Sequence, residues 1–134
     1  MQQCSIDSFL NQHEGQYFKS LRLDGLRNQI AAAQGTVIVE GICLLQVLEA
    51  VSVPYDELVY VKRMESGWTD EEECDVTGDP EARIADLLER QRAFDKAAGF
   101  ELSEELPPGH AEVIRYHAKY RPQDRATVEY WTTL

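Results

Sequence analysis

Two short segments set an acidic side chain directly behind an apolar residue. Ile6-Asp7-Ser8-Phe9 places Asp7 there, and Thr36-Val37-Ile38-Val39-Glu40-Gly41 ends a β-branched run on Glu40. In open α/β sheets, ligands collect at the carboxyl ends of strands. A carboxylate at such a position can take a proton from a hydroxyl or orient a metal-bound water. Gly41 would let the backbone come close to a ligand. The same spacing is met by an ordinary strand end followed by an ordinary turn.

Other residue sets carry less chemistry. Asp70-Glu71-Glu72-Glu73 with Asp75 lacks the alternate-residue spacing and central Gly of a Ca²⁺ loop, and reads as a solvated acidic loop. His110 and His117 lie seven apart on one helical face, and Cys74 adds a third zinc-ligand type, but no pair is tightly spaced. His117 reads instead as packing beside Tyr116 and Tyr120. Trp68 and Trp131 could stack on a base, although core packing or a strand face explains each. His13, Tyr17 and Lys19 lie in a polar stretch, Asn11 to Ser20, which reads as a loop within reach of a ligand.

These residues need elements to hold them. Gln2 to Phe9 reads as a strand end running into a loop. Leu23, Leu26, Ile30 and Ala33 recur at helical intervals, and Gly35 stops that helix. Thr36 to Val39 does not alternate with polar residues, which predicts a strand covered on both faces. Ile42 to Val51 predicts a short helix, and Glu57 to Lys62 a second strand. Glu65 to Asp79 is an acid-rich loop. Pro80 to Ala98 predicts a long amphipathic helix with Asp79 as N-cap, Pro80 in its first position and Gly99 closing it. Ile84, Leu87, Leu88 and Phe94 form its expected buried stripe. Pro107-Pro108-Gly109 is a turn, His110 to Lys119 another helix, and Thr127 to Trp131 a last strand. Such alternation favours one α/β domain over residues 1–134, with a mostly parallel sheet and helices on both faces.

Composition narrows the partners. The 134 residues carry a formal net charge of −11. Nucleic-acid binding needs clustered Lys and Arg, so neither a nucleic acid nor an acidic membrane surface is an expected partner. No run approaches the roughly 18 apolar residues of a membrane helix, and no signal peptide is visible. The three cysteines, Cys4, Cys43 and Cys74, are odd in number and far apart, as expected for reduced thiols in a cytoplasmic protein. Cys43 sits in an apolar run and is an expected core residue.

Thr36-Val37-Ile38-Val39-Glu40-Gly41-Ile42 resembles the third-strand segment of the uridine kinase-like P-loop kinases, which include phosphoribulokinase. Ile6-Asp7-Ser8-Phe9 resembles that family's second-strand motif, Leu58-Val59-Tyr60-Val61 its fourth strand, and the Arg-bearing helix from Pro80 its lid. Tyr120-Arg121-Pro122 with Ala126-Thr127-Val128 resembles the approach to its last strand. Each motif is short; their order carries the resemblance over most of the chain. The resemblance implies a three-layer P-loop kinase-like fold, with Mg²⁺ and ATP as cofactors and phosphoryl transfer to a small hydroxyl-bearing molecule. It implies that Asp7 is the base and that Glu40, beside Gly41, sits near the magnesium and the γ-phosphate. Arg83, Arg90 and Arg92 become candidates to neutralise the transferring phosphoryl group. On the residues alone these arginines are a solvated helix face with Glu–Arg pairs.

The phosphate-binding motif of the family, Gly-x-x-x-x-Gly-Lys-Ser/Thr, is absent from this sequence, and only six residues precede Asp7. The first strand, its loop and its helix are therefore expected to be missing. In the family that strand lies between the third and fourth. Its absence leaves those two strands apart or forces them to pair. The chain alone is then expected not to transfer phosphoryl groups. The alternative reading is a non-catalytic acidic interaction module, with a second copy or a protein partner covering the open sheet edge.

Overall fold

The structure is a computed structural model that describes residues 1–11, 16–63 and 76–132. The backbone divides into two compact units, Met1–Glu57 and Leu58–Leu134. The described residues form two two-stranded sheets, one in each unit, and both are parallel.

In the first unit, β1 (Gln2–Ser5) pairs with β2 (Val37–Glu40), with Cys4 opposite Val39 and Ser5 opposite Glu40. A tight 3-10 turn, Ile6–Phe9, follows β1. The crossover to β2 runs through α1 (Leu23–Ala32), whose Leu26 is fully buried, as its apolar spacing requires. Two backbone bonds close the excursion between β1 and α1: Asn11 N–H to Ser20 O at 2.8 Å and Arg22 N–H to Phe9 O at 2.8 Å. After β2 the chain turns through Cys43, in the left-handed region at φ 53°, into α2 (Leu44–Ala50). Arg27 of α1 donates from Nε to Val51 O at 3.1 Å, so a cation from one helix caps the carbonyl end of the other. Cys4, Ile6, Phe9, Leu21, Leu26, Val47 and Val51 form the core, and Val37 and Val39 pack against it.

The expectation of a strand covered on both faces does not hold for β2. Val37 and Val39 are half-buried, whereas Ile38 is 46% exposed and Glu40 is exposed. A β-branched run fits a pleated backbone whether one face is covered or two, so the run alone did not settle it.

In the second unit, β3 (Val59–Arg63) pairs with β4 (Val128–Thr132), Val59 opposite Val128 and Val61 opposite Tyr130. Between them lie α3 (Pro80–Ala98), α4 (His110–Tyr120) and the short α5 (Pro122–Arg125). The ends of α3 form as expected. The Asp79 carboxylate accepts from Glu81 N–H at 3.0 Å, and Gly99 closes the helix at φ 75°. Arg115 of α4 donates to both carboxylate oxygens of Glu81, at 2.6 and 3.0 Å, tying the start of α3 to α4. Ile114 is fully buried, with Leu58, Val76 and Tyr116 close to it in burial.

The predicted stripe of α3 is only partly right. Ile84, Leu87 and Leu88 are half-buried, but Phe94 is 61% exposed, tilted against Phe100 with centroids 6.4 Å apart. Asp95 takes the buried place. Its carboxylate accepts from Ser103 Oγ at 2.6 Å, Ser103 N–H at 3.0 Å and Gln91 Nε2 at 2.9 Å. This folds the segment after Gly99 back onto the helix.

Candidate functional site

Parallel pairing brings the two sequence-predicted carboxylates to one end of one sheet. Ser5 and Glu40 are register partners at the carboxyl ends of β1 and β2, and Asp7 follows two residues later in the 3-10 turn. Both acids are exposed. Asp7 is held in place, since Tyr17 Oη donates to its Oδ1 at 2.7 Å. Ser20 N–H donates to the Tyr17 carbonyl at 3.1 Å, and Ser20 O in turn accepts from Asn11 N–H. Arg22 also fastens this end. Its Nη2 donates to Ser8 O at 3.1 Å, and its guanidinium lies 5.7 Å from the Phe9 ring centroid.

Glu40 acts on its strand neighbour. Burial pushes the Cys4 thiol above its ordinary range, and the nearby Glu40 charge pushes it further. A protonated, buried thiol is a poor nucleophile, so Cys4 serves packing. Cys43 is buried as well, as its apolar neighbours predicted.

Gly41 has a structural reason to be glycine. A Cβ built there would lie 2.8 Å from Ile6 Cβ, and Ile6 is fully buried. Turn and strand therefore touch at the point where both carboxylates emerge, which couples the positions of Asp7 and Glu40. Hard carboxylate oxygens such as these suit Mg²⁺, which keeps most of its waters and takes one or two protein carboxylates. Among the described residues, no group of three or more His, Cys, Asp or Glu converges to hold a metal outright.

The three candidate arginines belong to the second unit and are engaged locally or half-buried there. Arg90 pairs with Asp86 one turn back at 3.1 Å. Arg92 donates from Nη1 to Ser103 O at 2.7 Å and so joins the Asp95–Ser103 network. Arg83 is half-buried in the first turns of α3. Ser103 and Gln91, with Arg92 adding to them, hold the Asp95 carboxyl below the usual carboxylate range.

His117 does what its neighbours suggested. It is buried, edge-on to Tyr116 at 5.1 Å, and its Nδ1 lies 2.9 Å from Val113 O. An Nδ1–H donated to that carbonyl leaves Nε2 as acceptor for Tyr60 Oη at 3.2 Å. This bond from β3 to α4 has no local signature, because it joins residues far apart in the chain. Cys74, Trp68, His13 and the acids of residues 70–75 lie outside the described residues, as does the side chain of Trp131.

Among the described residues, no helix is long and apolar enough to cross a membrane. Compared with protein-family models, with curated proteins and with solved structures, the chain matches none.

Proposed function

We propose that this chain is the acceptor-side portion of a P-loop kinase-like domain and does not transfer phosphoryl groups by itself. Asp7 is the base for a substrate hydroxyl, and Glu40 is the carboxylate on the magnesium side. The observation that carries this reading is the pattern of strand pairing. The segments resembling the second and third strands pair with each other in parallel, and those resembling the fourth and last strands do the same. In the resembled family a first strand belongs between the third and the fourth.

In this reading the three-layer sheet is complete only with that strand, its phosphate-binding loop and its helix. Mg²⁺ and ATP then belong to the completed protein. Its substrate is a small hydroxyl-bearing molecule, and Arg83, Arg90 and Arg92 remain the lid candidates. The buried thiols of Cys4 and Cys43 suit a cytoplasmic setting.

Isothermal titration of the purified chain with Mg-ATP tests the reading. No measurable heat is expected, and binding at micromolar Kd would refute it. Where coding sequence runs upstream of Met1, Gly-x-x-x-x-Gly-Lys-Ser/Thr is expected there. In such a form Asp7→Asn should lower kcat by roughly 10²–10⁴-fold, the span of general-base catalysis.

A further inference from the structure

Asp7 combines a held backbone with an exposed side chain. Its carbonyl accepts from Leu10 N–H at 3.2 Å, inside a 3-10 turn whose Ile6 and Phe9 are buried. The carboxylate stands in solvent, and the terminal torsion of an aspartate is broad. One side chain restrains it. Tyr17 Oη donates to Oδ1 at 2.7 Å, the short length of a hydroxyl bonded to a carboxylate. The Tyr17 ring is half-buried against the core that also holds Ile6 and Phe9. An apolar body seated on the core thus carries a polar tip to the exposed acid. Among the described residues no other hydrogen bond reaches this carboxylate.

We infer that Tyr17 is the positioning residue of Asp7: its phenol holds Oδ1 and leaves Oδ2 as the oxygen that takes the proton of a substrate hydroxyl. This assignment rests on the proposed role of Asp7 as base. In that step the substrate O–H bond breaks, its electron pair stays on the substrate oxygen, and the proton passes to Oδ2. A carboxylate free to rotate offers either oxygen in many directions, whereas a restrained one offers a single acceptor. Misplacing a reacting group by about 1 Å can cost about 10²-fold in rate. Tyr17 needs no contact with the substrate for this, so its loss acts through Asp7.

Tyr17→Phe is the test, since it keeps the ring on the core and removes the donor. In the chain itself, three-bond NMR couplings of Asp7 read its side-chain rotamer. The unsubstituted chain should show one rotamer, and Tyr17→Phe should move the couplings to averaged values. Couplings that the substitution leaves unchanged overturn the inference. In a form carrying the upstream phosphate-binding segment, Tyr17→Phe should lower kcat about ten- to a hundredfold with KM for ATP unchanged. Added to Asp7→Asn, it should cost less than about twofold more, because both substitutions disable one unit. Full kcat in Tyr17→Phe beside a damaged Asp7→Asn overturns the inference and leaves the base in place. An equal further loss in the Asp7→Asn background also overturns it, because Tyr17 would then act on its own. Undiminished kcat in Asp7→Asn overturns the base role, and the positioning role with it.

Discussion

The two parallel pairs are built alike and finished differently. In β1–β2 the aliphatic side chains Val37 and Val39 turn toward the core, and Gln3, Ser5 and Glu40 share the outer face with Ile38. In β3–β4 one face carries the Tyr60–His117 hydrogen bond, and the other carries the exposed Val59, Val61, Val128 and Tyr130. The first pair leaves the carboxylates of Asp7 and Glu40 exposed near its strand ends. The second leaves apolar area exposed at roughly 25 cal/mol per Å². Pairing geometry alone thus does not tell how a sheet is finished; the side chains on its two faces do.

The contrast can be broken most strongly at the two cores. Ile6→Ala in the first unit and Ile114→Ala in the second should each cost about 2–5 kcal/mol, since both side chains are fully buried. Urea unfolding followed by circular dichroism would measure this. Gly41→Ala comes next, at roughly 1–3 kcal/mol, because the new Cβ meets Ile6 Cβ at 2.8 Å. Ile6→Ala should not rescue it, since the clashing Cβ remains. Tyr60→Phe leaves His117 Nε2 without that donor and should cost about 1–2 kcal/mol.

Acid should weaken the Asp95 network. The folded state holds that carboxyl below its ordinary value, so the unfolded chain binds its proton more readily. The stabilisation is therefore present above about pH 4, the ordinary carboxylate value, and is lost as pH falls through the lower folded value. Asp95→Asn should lower the urea midpoint at pH 7 and flatten its fall below pH 4. Glu81, lowered by its bond to Arg115, keeps part of that slope. The smallest effect belongs to the bare face. Val61→Thr should change stability by no more than about 0.5 kcal/mol, as at other exposed sites.

Local features were legible in the sequence. The apolar spacing of α1, the Asp79 and Gly99 ends of α3 and the β-branched run of β2 are each fixed by neighbours a few residues away. The features missed depend on distant partners. Phe94 fits the α3 stripe by position, yet the chain after Gly99 returns to Asp95 through Ser103, and the carboxylate takes the buried place. At the site, Asp7 and Glu40 could be named from their place behind expected strands. The Tyr17 bond to Asp7 and the packing of Ile6 on Gly41 needed the fold.

Among the described residues β2 and β3 each pair with one strand, and the proposed reading requires the second edge of each to be unfilled in this chain. Gln2 N–H bonds to Thr36 O, and Val128 N–H to Leu58 O. In a parallel ladder of that phase, the amides of Ile38 and Tyr60 face their partner strands, and those of Val39 and Val61 face away. Residue-resolved hydrogen exchange of the isolated chain tests this directly. Ile38 and Tyr60 should exchange slowly, and Val39 and Val61 quickly. Equal protection of all four amides would mean that the edges are already filled, and would contradict the account.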